Sequence, residues 1–233
     1  MGKSGKEAAG TATVQLPFDY GMETNMSMIE KKPLVMDLYT ADPSAHVFNG
    51  KIYIYPSHDE DKDVENNDNG DQYDMVDYHV YEMPDTETLP RDCGCVLSLK
   101  DVPWASKQLW APDCVEKDGT YYFVFPARDK QGMFRIGIAK GSGPAGPFKA
   151  EESYIPGTYS IDPCLFPDGD GKYYLTYASE WPEKIAYAVA DRIEGPYKPM
   201  GIISEIAGNS NTTHPAIVQF KQQWYFFSHN GGL

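Results

Sequence analysis

The sequence predicts an all-β fold, a β-propeller assembled from repeated hairpins, and three observations carry the prediction. One motif recurs as Gly50-Lys-Ile-Tyr-Ile-Tyr55, Gly119-Thr-Tyr-Tyr-Phe-Val-Phe125 and Gly171-Lys-Tyr-Tyr-Leu-Thr-Tyr177, with Gln222-Gln-Trp-Tyr-Phe-Phe227 as a degenerate fourth copy. Each copy follows a short apolar stretch, at His46–Phe48, Cys114–Val115, Cys164–Phe166 and Ala216–Phe220. Two such runs joined by a Gly/Asn/Asp turn read as a β-hairpin. Finally, Ile136-Gly-Ile-Ala-Lys-Gly-Ser-Gly-Pro-Ala-Gly-Pro-Phe-Lys149 aligns without gaps on Ile185-Ala-Tyr-Ala-Val-Ala-Asp-Arg-Ile-Glu-Gly-Pro-Tyr-Lys198. That adds a third strand, a Gly-Pro-aromatic turn and an outer strand to each unit, and four-stranded units of about 50 residues point to a propeller.

Along the chain, residues 1–32 form an N-terminal extension and the approach to the first unit; residues 33–233 form the propeller. The acidic run from Asp59 to Asp77 reads as an extended, solvated loop, since it lacks the spacing of an EF-hand. The chain stops at Ser228-His-Asn-Gly-Gly-Leu233, directly after a strand. The last sheet is therefore expected to lack outer strands, leaving a shortened or incomplete ring with exposed edges.

Composition narrows the partners. The chain has 233 residues, enough for a substantial core, and its 17 tyrosines favour sheet over helix. A formal charge of −14 repels phosphate backbones and anionic lipid, so neither nucleic acid nor a membrane surface is an expected partner. No window is apolar enough to span a bilayer. The opening MGKSGKEAAG has no apolar signal-peptide region, which favours a cytoplasmic protein and leaves secretion open for a processed chain. Cys93, Cys95, Cys114 and Cys164 fit neither a zinc pattern nor a disulfide framework. The oligomeric state is not legible.

Chemistry concentrates where inner strands begin. Asp42-Pro43 and Asp162-Pro163 occupy matched positions ahead of two repeats. In a propeller these strand ends converge on one channel, so the two carboxylates are placed to face each other. Glycosidic cleavage needs such a pair, one activating water and another group donating a proton. The competing reading is that each Asp caps the turn before its proline. At the matching site of the second unit, Trp110 is either a sugar-stacking or a core residue, and Asp113 either a hydroxyl ligand or a turn cap. His214, heading the last inner strand, is a metal ligand or a hydrogen-bonded channel residue. His46 is expected to pack within its strand, and His58 to edge the pocket from a strand end. Arg128 either reaches the pocket or pairs with Asp129.

The strings TADPSAHVFNGKIYIYPSHD, LWAPDCVEKDGTYYFVFPARD, GPFK, YSIDPCLFPDGDGKYYLTY, IEGPY and NTTHPAIVQFKQQWYFFSHNG, taken in order, resemble glycoside hydrolase family 43 from about Pro33 to Gly232. The resemblance implies a five-bladed propeller that hydrolyses xyloside or arabinofuranoside bonds of hemicellulose oligosaccharides with inversion. It places Asp42 on the general base and Asp162 on the carboxylate that orients the catalytic acid and adjusts its pKa. His214 falls on a channel histidine that in many members helps, with waters, to hold a calcium or sodium ion; no organic cofactor is implied. Trp110 and Asp113 fall on a substrate-lining segment.

One member of the set is not visible. Relatives carry the general-acid Glu just before an inner strand, and no such Glu occurs in that context here. The simplest account is a lost segment at about residues 169–172. Glu180 and Glu183 follow their strand instead of preceding it, and Glu205 in the next linker is the least unsuitable substitute. Hydrolysis is therefore expected to be weak or absent. A non-catalytic carbohydrate-binding propeller is the runner-up, and a structural or protein-binding propeller the third reading.

Overall fold

Tyr, Phe, Ile and Val fit a pleated, half-buried surface, and the hairpins form where such runs flank residues that accept a left-handed backbone. The two-residue turns Asn49-Gly50 and Asp118-Gly119 both carry positive φ, at 52° and 76° and at 52° and 79°. Lys221-Gln222 adopts the same pair of left-handed residues, at 48° and 64°, without a glycine. That is why the fourth copy looked degenerate yet still turns.

The computed structural model describes residues 33–60, 62–179, 184–204 and 212–230. Leu34–Leu233 forms one compact unit. Its first sheet is antiparallel and runs in the order β1 (Tyr39–Phe48), β2 (Lys51–Asp59), β3 (Met75–Met83), β4 (Arg91–Ser98). The second combines β5 (Ala105–Lys107) and β6 (Asp113–Lys117), both paired with β7 (Thr120–Asp129), then β8 (Phe134–Gly141) and β9 (Lys149–Ala150). The third is β10 (Ile161–Pro167), β11 (Tyr173–Ala178), β12 (Ile185–Ala190) and β13 (Lys198–Ser204). The fourth is a hairpin of β14 (Thr212–Phe220) and β15 (Gln223–Asn230). The family resemblance implies five blades; the described residues form four sheets, the last of two strands, and they do not close into a full ring. Phe220, Trp224 and Phe227 on that hairpin are exposed.

At the place where a segment looked lost, the chain makes a closed turn. Asp168 N–H donates to Lys172 C=O at 2.9 Å and Gly171 N–H to Asp168 C=O at 3.2 Å, between the paired Pro167 and Tyr173. The third sheet is complete around it.

The cores lie between sheets. Strand β7 shows how alternation builds them: Tyr121, Phe123, Phe125 and Ala127 face the first sheet, with Tyr55, Tyr78, Val80 and Trp104. Val124 faces the third, with Ile136, Leu165, Leu175, Tyr177 and Tyr197. Period-two alternation puts successive side chains on opposite faces, and burying each large one contributes roughly 1.5–3 kcal/mol. Two of the buried tyrosines also satisfy their hydroxyls: Tyr55 donates to Pro144 C=O at 2.8 Å and Tyr78 to Trp110 C=O at 2.5 Å. The inner strands β1, β6, β10 and β14 then lie side by side in that order.

Packing leaves no spare volume at Gly137 on β8. Trp104 stacks on Phe125 with ring centroids 6.0 Å apart, and an added Cβ at residue 137 would meet Trp104 at 2.5 Å and Phe125 at 2.8 Å. Gly137→Ala is expected to cost about 1–3 kcal/mol by overpacking, read as a lower urea midpoint; an unchanged midpoint would show that the stacked pair yields freely.

Candidate functional site

Three inner strands begin with one shared distortion. In β1, Asp42 and Pro43 stand against a single partner residue, because Ala41 pairs with Ser57 and Ser44 with Tyr55. In β10, Asp162 and Pro163 are flanked by the Ile161–Ala178 and Cys164–Thr176 pairs, and in β14, His214 and Pro215 by Thr213–His229 and Ala216–Phe227. Two residues opposing one is a β-bulge, which re-aims a side chain and hosts a proline that has no N–H for the ladder. Asp42, Asp162 and His214 carry φ of 49°, 56° and 51°. Left-handed backbone is uncommon outside glycine but most tolerable for Asp, Asn and His, and proline disfavours it further in the residue before. Ala111-Pro112 makes the same two-for-one step in the second sheet, between Trp110 N–H bonded to Pro126 C=O and the Asp113–Val124 pair, with no functional side chain at Ala111.

These bulges line one channel of about 170 Å³, and His214 joins the carboxylates of Asp42 and Asp162. Its Nε2 lies 3.3 Å from Asp42 Oδ1 and its Nδ1 3.2 Å from Asp162 Oδ2. The His214 backbone N–H also points at Asp162 Oδ2, at 3.4 Å. The Nε2 is buried, and at 3.3 Å its contact with Asp42 is a loose ion pair. The imidazole beside Asp42 holds its carboxyl below the usual carboxylate range, against burial, which pushes it up. Burial pulls the His214 pKa down, but Asp42 and the Asp162 charge outweigh it and raise the net value. The two carboxylates differ in access: the Asp42 side chain is 49% exposed and that of Asp162 4%.

Asp113 also lines the channel, but its carboxylate ties three units together. One oxygen lies 2.6 Å from His46 Nε2 on β1, and the other accepts the Leu165 N–H of β10 at 2.9 Å. The sequence signalled neither partner. His46 packs within its strand, as expected, stacked on Phe48 with ring centroids 5.7 Å apart.

Trp110 and Arg128 reach a different place, a neighbouring cleft of about 540 Å³ that they line with Phe134, Tyr159 and Ser160. Trp110 packs on Phe134 at 4.4 Å and donates Nε1–H to Tyr73 C=O at 3.1 Å. Arg128 lies over the Phe134 ring and donates to Gln108 Oε1, Gly132 C=O and Asn69 C=O. It does not pair with Asp129, which binds Arg135 instead at 2.9 Å. The acidic loop is largely exposed, as its composition suggests, yet it forms one wall of this cleft. Buried Gln108, a residue without any sequence signal, donates to Gly70 C=O at 2.6 Å and anchors it. His58 lies outside both linings, paired with Asp77 at 2.6 Å on the first sheet. Glu180, Glu183 and Glu205 lie outside the described residues.

The profile of the glycosyl hydrolases family 43 matches residues 31–189. The chain belongs to family 43. It is 52% identical over 177 residues to "Xylosidase/arabinosidase 43A" of Humicola insolens, covering 72% of this chain and 54% of that protein. It is 51% identical over 153 residues to "Xylosidase/arabinosidase" of Bacteroides ovatus, covering 65% and 47%. The chain thus spans about half the length of the curated relatives it matches. Among solved structures it is similar to a family 43 β-xylosidase/α-arabinofuranosidase from a compost microbial metagenome in complex with xylotriose. The TM-score is 0.63 and the identity 34%, over 84% of this chain and 87% of that one. A family 43 enzyme from Xanthomonas citri complexed with xylose gives 0.57 and 33%, over 84% and 83%.

The buried Asp113 link generates two expectations. Removing one partner of a buried ion pair strands the other, so Asp113→Ala is expected to cost about 3 kcal/mol in urea unfolding. Burial opposes a charged His46, but the Asp113 carboxylate outweighs it and raises the imidazole pKa. A raised folded pKa means that the contribution is full below the unfolded value of about 6.5 and is lost as pH rises through the folded one. The stability gap between wild type and His46→Gln should therefore be wider near pH 6 than near pH 8; a gap that widens with pH would contradict the pairing.

Proposed function

We propose that this chain is the propeller of a glycoside hydrolase acting on xylosidic or arabinofuranosidic bonds of hemicellulose oligosaccharides. Cleavage proceeds by single-step inversion, with Asp42 as general base. The convergence of Asp42 and Asp162 on the two ring nitrogens of His214 carries this reading. Half-exposed Asp42 is open to the water it would deprotonate. Buried Asp162, held by His214 through ring and backbone nitrogens, is suited to orienting a neighbouring acid. The names of the relatives and the xylose and xylotriose bound by similar structures support the substrate class.

The carboxylates of Asp42, Asp113 and Asp162 around the channel would suit a calcium or sodium ion beside a neutral His214. His214, with waters, would hold it, and its charge would offset the adjoining carboxylates. Trp110 and Arg128 would contact sugar units beyond the channel, along the cleft.

One observation favours a second reading, a carbohydrate-binding propeller without catalysis: among the described residues lining the channel there is no Glu. A positioned general acid contributes about 10²–10⁴-fold, so hydrolysis is expected to be weak. Nitrophenyl xyloside and arabinofuranoside assays test the first reading. Asp42→Asn should lower the residual rate by about 10²-fold or more at unchanged melting temperature. Equal rates in wild type and variant would show that the channel does not catalyse, and retained xylobiose binding would then support the second reading.

A further inference from the structure

Two histidines and an aspartate meet on the first sheet, away from the channel. His58 on β2 and Asp77 on β3 are directly paired, and His79 follows on the same face of β3. One ligand atom from each lies within 4.8 Å of the others. The His58 and His79 rings are 5.4 Å apart at an angle of 67°, so they converge edge to face instead of stacking. We propose that His58, Asp77 and His79 form a second metal site, for zinc or another first-row divalent ion, distinct from the cation site of the channel.

Without an ion, His58 Nδ1 pairs with Asp77 Oδ1 at 2.6 Å; the residues around the cluster support a site beyond that pair. Asp92 on β4 holds His79 Nδ1 between its two oxygens, at 2.9 and 3.1 Å. A carboxylate on the far nitrogen is the usual outer partner of a metal-bound histidine: it fixes the tautomer and turns Nε2 outward. Among the described residues no partner takes His79 Nε2. The His58, Asp77 and His79 side chains are 15%, 23% and 17% exposed, which leaves access for an ion and a water. Two imidazoles and one carboxylate suit a borderline ion such as zinc, with a fourth position open, whereas calcium takes six to eight oxygens.

The location suggests what the metal would do. His58 stands near the end of β2 just before the acidic run, and Asp77, near the start of β3, closes it. The ladder slips here, between the His58–Asp77 and Asp59–Met75 pairs. A metal would clamp the base of the loop whose tip walls the Trp110 cleft, and so hold that wall in place.

The test uses the untagged, chelator-stripped full chain titrated with cobalt(II) and followed by visible d–d absorption, with zinc as competitor. One equivalent of cobalt should bind and be displaced by zinc. His79→Gln should abolish the signal, and Asp92→Asn should weaken binding by about 10–100-fold. His214→Gln, which removes the channel ligand, should leave it unchanged. Circular dichroism establishes that each variant folds, and Asp92→Asn keeps the test valid if His79→Gln does not. Zinc should also slow trypsin cleavage at Lys62 in the loop. No stoichiometric binding, or cobalt absorption that survives in His79→Gln or depends on His214, would overturn the site; unchanged cleavage at Lys62 with zinc bound would overturn the clamp.

Discussion

The functional geometry depends on a backbone constraint repeated at the inner rim: a left-handed residue before a proline, inside a β-bulge. A regular strand would send Asp42, Asp162 and His214 to whichever face its alternation dictated. The two-for-one step breaks that alternation at the strand mouth and turns each side chain toward the channel. Such backbone states cost on the order of 1–3 kcal/mol each and persist only where the surroundings over-determine them. The cores between the sheets do so for the first three units. Beside β14, the contacts of His214 with Asp42 and Asp162 tie the last hairpin back to the first and third sheets. Strain and function coincide here: Ala111, at the same step in the second sheet, lacks a functional side chain and also lacks the positive φ.

The propeller architecture was legible because its signals are local. Turn chemistry and alternation lie within a dozen residues, so the hairpins and the Gly-Pro-aromatic units read directly. Even the turn at Lys221-Gln222, which lacks glycine, was recoverable from its register with the other copies. The facing of Asp42 and Asp162 was legible through their common Asp-Pro context, and the place of His214 through its position at the head of the last inner strand, although the bulges that bring them together were not. What escaped were partnerships between distant segments. Nothing near Asp113 reveals that His46 and the Leu165 N–H will occupy its carboxylate. The acidic loop read as solvated because most of its side chains are; its anchors include the backbone carbonyls of Asn69, Gly70 and Tyr73, taken by Arg128, Gln108 and Trp110. A carbonyl has no sequence signature. For Trp110 the sequence left sugar stacking or core packing open, and for Arg128 the pocket or Asp129; the structure puts both in the adjoining cleft.

In the proposed function, channel and cleft would divide the work of recognition. The channel is narrow, holds the charged groups and is framed by rigid strand ends. The cleft is wider, lined by Trp110, Phe134 and Tyr159, and walled by a loop held through hydrogen bonds. Aromatic faces beside a carboxylate channel suit a sugar chain with one unit at the charged end and others on the rings. In the proposed reading, a channel without a positioned Glu would cost the chemistry more than the binding, since recognition of a sugar needs no proton donor.

Binding is accordingly the most direct test of the central claim, that the bulged residues around His214 form a sugar site. Xylobiose titrated calorimetrically into the intact protein and into Asp162→Asn measures it. The account predicts saturable binding by the wild type and binding weakened by about tenfold or more in the variant, shown to be folded by circular dichroism, because the channel loses the buried charge that holds His214. Equal affinities in the two proteins, or no binding by the wild type, would contradict it.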